Sequence, residues 1–214
     1  MTLSPAEQDE QNAHRRRAWD KQAAGYDRQI GWWERRVLGR DNRAWATQRA
    51  RGDVLEVAVG TGLNVPLYEP GLELTGVDLS PAMLAIARQR AAEAGRRVDL
   101  REGDAHRLPF DDATFDTVVC TFSLCNIPDP RGALTEMRRV LRPGGRLILV
   151  DHVASTTRPI YWLQKAIEPI SVRIDGDHLT RRPATIVEDL GFDITERDRL
   201  RRGIVERVLA VKPA

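Results

Sequence analysis

The stretch VLEVAVGTGLN, residues 54–64, constrains this chain most: an apolar run of strand length breaks into Gly-Thr-Gly. Similar runs recur downstream, separated by helical stretches. LTGVD (74–78), VDLREGD (98–104), TFDTVVCTFS (114–123) and RLILVDHV (146–153) read as strands after VLEVAV (54–59). SPAMLAIARQRAAEAG (80–95) reads as a helix with Ser80 as N-cap, Pro81 in the first turn and Gly95 past the end. ALTEMRRVL (133–141) places Leu134, Met137 and Leu141 on one helical face, and Pro143-Gly144-Gly145 turns the chain into the fifth strand. ATIVEDL (184–190), closed by Gly191, is a further helix. Strand alternating with helix predicts a parallel sheet covered by helices on both faces. FDITER and IVERVLAVK follow, joined by a loop too short for a crossover, which predicts an antiparallel hairpin at one edge.

Length and composition fit one globular domain. The 214 residues can bury a substantial core, and 42% hydrophobic with 30% charged residues is ordinary for a soluble protein. No apolar run approaches the ~20 residues needed to span a bilayer. The opening MTLSPAEQDEQNAHRRR lacks the apolar core of a secretion signal, so a cytoplasmic location is expected. Residues 1–12 are expected to be a disordered tail, 13–50 a helical lid, and 51–214 the main domain, with an insertion over 154–182 where the alternation breaks. A net charge of +2 makes no demand for nucleic acid. The two cysteines, Cys120 and Cys125, belong to no zinc-spaced motif, so no metal is expected. Cys120 reads as a core thiol. The oligomeric state is left open between monomer and homodimer.

Ligands of such sheets sit at the carboxyl ends of the strands, at the topological switch point. Gly60 and Gly62 let backbone approach a ligand closely. A dinucleotide fingerprint would need a third glycine at position 65, where Val65 stands, and this counts against a nicotinamide dehydrogenase. Asp78, ending the second strand, can accept both hydroxyls of a ribose.

Four ordered segments together resemble the class I S-adenosylmethionine (SAM)-dependent methyltransferases: VLEVAVGTGLN, LTGVDLSPAML, GDAHRLPFDDATFDTVVCTFSLCNIPDP and LRPGGRLILVDHV. The resemblance implies a Rossmann-like, seven-stranded, mostly parallel sheet with helices on both faces and an antiparallel last strand. It implies SAM as cofactor and S-adenosylhomocysteine as product. Glu56 would hold the methionine ammonium, with Ala58, Gly60, Gly62 and Asn64 around it. Ala58 stands where the family most often has glycine. Asp78 would bind the ribose, Leu79 and Met83 would flank the adenine, and Asp104 would accept from its amino group beside Gly103, Ala105 and His106. Thr121, Phe122, Ser123 and Leu124 would lie near the methyl donor, under Tyr26 of the lid.

The acceptor is read as a small molecule. Thr121-Phe122-Ser123-Leu124 stands where nucleic-acid amino-methyltransferases carry Asn-Pro-Pro-aromatic. The order of Trp, Gln, Glu-Pro, Asp-Gly and Leu-Thr-Arg across 161–183, then Leu-Gly-Phe at 190–192, resembles the thiol S-methyltransferases. It resembles less closely the quinone-biosynthesis C-methyltransferases and phosphatidylethanolamine N-methyltransferases. A thiol acceptor is therefore favoured, and it needs little base because its own ionisation supplies the nucleophile. N-methylation of phosphatidylethanolamine, C- or O-methylation of a quinol or other aromatic, and a non-catalytic SAM-binding module remain alternatives. His178, His152 and Asp177 are the polar candidates at the reacting centre. Trp32, Trp33, Cys125 and Trp162 are candidates for the substrate pocket. A membrane-surface helix around Trp32, Trp33, Val37 and Leu38, flanked by Arg35, Arg36 and Arg40, is a second reading that Glu34 and Asp41 disfavour by diluting its basic face.

Overall fold

The computed structural model describes residues 5–214. Helix α1 (Pro5–Trp33) runs into a π-helical turn (Glu34–Leu38) and a short α2 (Asn42–Thr47). Then come β1 (Asp53–Val57), β2 (Glu73–Asp78), α3 (Pro81–Glu93), β3 (Val98–Glu102), β4 (Phe115–Thr121), α4 (Pro130–Val140) and β5 (Leu141–His152). α5 (Arg158–Asp175), α6 (Pro183–Asp189), β6 (Asp193–Leu200) and β7 (Val205–Val211) complete the chain.

The seven strands form one sheet in the order β3-β2-β1-β4-β5-β7-β6. All neighbours are parallel except β7, which runs antiparallel to both β5 and β6. The expected fold class is therefore the observed one, with the hairpin's last strand tucked inside its first. β1 is central, and Val54, Leu55 and Val57 are wholly buried, as a strand covered on both faces requires. Two apolar layers flank the sheet. Leu55, Met137, Leu147 and Val187 lie in one, and Trp45, Val54, Ile148 and Leu209 in the other.

Local signals set the helix that serves the site. Ser80 Oγ accepts from Met83 N at 3.1 Å and Pro81 occupies the first turn, so α3 begins where β2 delivers Asp78. The chain is helical from Pro5, inside the stretch expected as a tail; proline's fixed φ suits a first helical turn. Residues 1–4 of that tail lie outside the described residues. The stretch 154–182 contains α5 and its flanking loops. No described helix is long and apolar enough to cross a membrane.

Candidate functional site

β1 leads to β2 and β3 on one side, and β4 and β5 lie on the other, so the switch point falls between β1 and β4. A cavity of about 110 Å³ opens there. Its walls come from every strand end of that half of the sheet: Ala58 and Gly60 after β1, Asp78 to Met83 after β2, Gly103 to His106 after β3, and Phe122 with Ser123 after β4. Tyr26 of α1 lines it too. Of the residues expected around a cofactor, Tyr26, Ala58, Gly60, Asp78, Asp104 and Phe122 are among those that line this cavity.

The glycine turn is built on left-handed backbone. Gly60 has φ +56° and Gly62 +76°, and a Cβ at Gly60 would meet nothing within 4 Å. Ala58 and Phe122 also have positive φ, +56° and +53°. For phenylalanine that is an uncommon, strained state, and it turns the backbone where β4 ends at the cavity.

Two carboxylates face this cavity. Asp78 accepts from Gly60 N at 2.8 Å and Ser80 N at 2.9 Å, and burial pushes its pKa up. Asp104 accepts from His106 N at 2.9 Å and lies 2.7 Å from His106 Nδ1. Burial acts to raise the pKa of Asp104, but the bonds to His106 outweigh it and hold it at about 2. Burial works to lower the pKa of His106; the Asp104 bond and charge overcome it and raise it.

The structure corrects several expected positions. Glu56 does not line the cavity. Its oxygens accept from Asn64 Nδ2 at 2.9 Å and Tyr68 OH at 2.8 Å on the other side of β1. Burial lifts its pKa to about 7. Asn64 and Thr121 belong to the same network: Arg43 Nη1 reaches Asn64 Oδ1 at 3.1 Å and Thr121 Oγ1 at 3.3 Å, while its Nε bonds Glu34. Strand residues of alternate parity face opposite sides, which takes Glu56 away from the ligand side. Gly62 packs against Ala87 of α3, where a Cβ would approach within 3.1 Å. Trp32 and Trp33 stack edge-to-face on each other in solvent, and Trp162 is exposed on α5, so none of the three lines the cavity. Arg43 and Tyr68 escaped the sequence reading because nothing local couples them to β1.

α1 covers the cavity and is fastened to each loop around it. Asn12 donates to Asp104 at 2.7 Å, and Arg15 donates to Asn126 O. Asp20 accepts from Ser80 Oγ at 2.5 Å and from Ala82 N at 3.2 Å, and Asp27 accepts from Thr61 Oγ1 at 2.6 Å and from Arg90. Asn12, Arg15, Trp19 and Tyr26 line the cavity at intervals of three, four and seven, a one-face helical spacing that was open to view in the sequence. Burial raises the Tyr26 pKa to about 12, so it stays a phenol.

Of the remaining candidates, Cys125 and His152 line a second, smaller cavity of about 50 Å³ beside the loop that follows β4, together with Asp151 and Arg181. His152 Nε2 lies 3.0 Å from Asp177 Oδ1. Cys125 Sγ and groups of His152 and Asp177 all fall within 4.8 Å of one another. Asp151 accepts from Cys125 N at 3.0 Å and His152 N at 2.8 Å. Burial disfavours the charged imidazole, yet Asp177 and Asp151 outweigh it and raise the His152 pKa. Burial, reinforced by the same carboxylates, pushes the Cys125 thiol well up, so it stays a thiol. Arg181 donates to the carbonyls of Leu124 and Ile127, and His178 N to Cys125 O at 3.0 Å, so residues 177–181 clamp this loop. The His178 ring stands apart, half-exposed, 3.9 Å from Glu168. The loop joins the cavities: Asn126 lines the larger one and donates to Cys125 Sγ at 3.2 Å. Among the described residues, Asn126 Oδ1 is buried without a hydrogen-bond partner, an acceptor free for a ligand.

Open backbone at Gly60, a ribose-competent Asp78 and a second carboxylate at Asp104 fit a nucleoside ligand. The comparisons agree. Residues 55–149 match the methyltransferase domain family. A phosphatidylethanolamine N-methyltransferase of Cereibacter sphaeroides is 44% identical over 128 residues, 58% of this chain and 63% of that enzyme. A demethylmenaquinone methyltransferase of Paenarthrobacter aurescens is 34% identical over 185 residues, 75% of this chain and 70% of that enzyme. A thiol S-methyltransferase of Rattus norvegicus is 35% identical over 147 residues, 65% of this chain and 59% of that enzyme. A SAM-dependent methyltransferase of Thermotoga maritima superposes with a TM-score of 0.69 at 22% identity, covering 91% of this chain and 98% of its own. The chain spans between about half and two thirds of the length of the first curated relatives it matches. With this sheet order, this glycine turn and these relatives, the chain belongs to the class I SAM-dependent methyltransferases.

Proposed function

We propose that the chain moves a methyl group from SAM to a small-molecule acceptor that must lose a proton, with the hydroxylated ring of a quinol as the leading class. The observation that carries this reading is the half-buried His152–Asp177 pair behind the loop following β4. A pocket built for thiols has no need of such a pair, because a thiolate forms readily in water. A ring hydroxyl does need it. His152 would take that proton while bound SAM supplies the methyl to the adjacent ring carbon, its sulfonium becoming a neutral thioether; the proton shed by the methylated carbon would pass to water as the oxygen recovers the one held by His152.

Bound SAM would supply an activated methyl group; Asp78 and Asp104 would hold its nucleoside, and Asn126 Oδ1 would accept from its ammonium. The protein's remaining task is orientation and exclusion of water. α1 acts as the lid in this reading. The match to a demethylmenaquinone methyltransferase supports the quinol class because it extends over 185 residues, beyond the shared cofactor core. A lipid amine is the second reading, favoured by the 44% identity to a phosphatidylethanolamine N-methyltransferase and by Asp151 and Asp177, which could hold an ammonium. The thiol favoured by the order of residues 161–192 comes third, with its 35% relative.

The test is methyl transfer from labelled SAM to panels of quinols, phosphatidylethanolamine and thiols. Quinols should be the best acceptors, and His152→Gln should lower turnover by about 10²–10⁴-fold. The wild-type rate should rise with pH through the raised pKa of His152, since the base must be neutral. A best acceptor among thiols, with a modest His152→Gln effect, would reject the proposal. SAM binding with no turnover on any panel would point to a regulatory module.

A further inference from the structure

α5 is amphipathic the wrong way round for a helix serving its own core. A surface helix normally turns its apolar face to the protein and its polar face to water. Here Gln164 and Glu168 face inward. Gln164 accepts from Ser155 N at 2.7 Å and donates to the carbonyls of Val153 and Leu179. Glu168 accepts from Thr180 N at 3.1 Å and Thr180 Oγ1 at 2.6 Å. These bonds fix the helix's rotation. Leu163, Ile167, Ile170 and Ile174 recur at the i, i+4, i+7, i+11 spacing of one face, with Trp162 beside them. All five are exposed, by 43–71%. Among the described residues, none of the five belongs to a packed apolar cluster.

The charges on this helix select the occupant. Within α5 the carboxylates are Glu168, which is spent on Thr180, and Asp175 at the last position. Among the helix side chains whose exposure is described, the charged ones left in solvent, Arg158, Lys165 and Arg173, are all basic. An exposed apolar stripe with a tryptophan, bordered mainly by cations, matches the boundary between acyl chains and anionic headgroups. A protein partner would need no such basic border.

We propose that α5 seats this protein on anionic lipid surfaces, Trp162, Leu163, Ile167, Ile170 and Ile174 entering the headgroup boundary and Arg158, Lys165 and Arg173 pairing with lipid phosphates. The helix follows β5, whose last residue, His152, lines the second cavity. The surface does not depend on which acceptor is methylated.

The experiment is co-flotation of the full chain with vesicles of phosphatidylcholine alone or with a third phosphatidylglycerol. The chain should float with the anionic vesicles and at least tenfold less with the neutral ones, and high salt should weaken it. Ile170→Glu with Ile174→Glu should abolish flotation without changing the melting temperature, because both sites are exposed. Lys165→Glu with Arg173→Glu leaves the apolar stripe intact and should remove the preference for anionic vesicles. Tryptophan emission should shift blue on adding anionic vesicles, and Trp162→Phe should remove the shift. Equal flotation on both vesicles, or flotation unchanged by Ile170→Glu with Ile174→Glu, overturns the proposal. So does a dimer in solution that this double variant dissociates while vesicles bind nothing, since a second copy would then cover the face.

Discussion

Substituting Glu56 by Gln separates two roles for the carboxylate in the glycine-turn strand. The sequence resemblance gives it the methionine ammonium, whereas the structure gives it Asn64 and Tyr68. Its pKa stands at about 7 against an ordinary 4.5, chiefly because it is buried. A carboxylate with a raised pKa binds more protons folded than unfolded. Its stabilising contribution is therefore fully present below pH 4.5, declines as pH rises, and is gone above about pH 7. The shift of some 2.5 units, at 1.36 kcal/mol per unit, corresponds to about 3 kcal/mol. Gln cannot titrate, so the stability difference between wild type and Glu56→Gln should move by that amount between pH 4.5 and 7.5, in the wild type's favour at the acidic end. Titrations of Asp104 and His106 occur in both proteins and cancel in the difference. In a chain of this size each kcal/mol is worth roughly 2–4 °C, so melting curves across this pH range should show the gap changing by roughly 6–12 °C. SAM affinity measured by calorimetry should fall no more than a few-fold, because Glu56 is off the cavity wall. A pH-independent gap, or a loss of SAM affinity of tenfold or more, refutes the argument.

Asp78→Ala should weaken SAM and S-adenosylhomocysteine binding by about ten- to a hundredfold in calorimetry, since hydrogen bonds to a charged group are worth ~1.5–3 kcal/mol. Tight binding of NAD with no SAM binding would overturn the cofactor assignment. Ala58→Gly relieves a non-glycine residue at φ +56° and should raise stability by about 0.5–1 kcal/mol, read as a higher melting temperature. Asp20→Ala with Asp27→Ala removes the bonds from α1 to Ser80, Thr61 and Arg90, and should speed both protease cleavage within residues 13–33 and product release; unchanged rates of both would argue that α1 is a fixed cover.

The parts of the fold legible in the sequence were those that local chemistry dictates. Ser80, Pro81 and Gly95 mark α3 because capping, a fixed φ and a left-handed exit are properties of single residues. The hairpin of β6 and β7 followed from a loop too short to cross over. The wall of the larger cavity was legible for a related reason: Gly60, Asp78 and Asp104 each stand at a strand's carboxyl end, and a parallel sheet gathers those ends at one edge. Parity along β1 set the limit. Whether Glu56 points to the ligand or away from it depends on which face of the sheet α1 and α2 cover, and their partners, Tyr68 and Arg43, lie outside the motif.

The residues that gather around Cys125 could be singled out in the sequence one by one, but not the fact that they meet. His152 ends β5, Asp177 follows α5 and Cys125 lies in the loop after β4, so no motif joins them. Each alone is ordinary: a loop cysteine, a histidine at a strand end, an aspartate beside a glycine. They become chemistry only when Arg181 pulls the loop after β4 onto residues 177–181 and two carboxylates close on one imidazole. The glycine turn works with backbone, which many sequences supply in one way, and so leaves a pattern. The proposed acceptor site works with side chains from three separate elements, one of them in the inserted stretch 154–182. That insertion can change while the sheet does not, so a fold shared at 22% identity says nothing of what receives the methyl group.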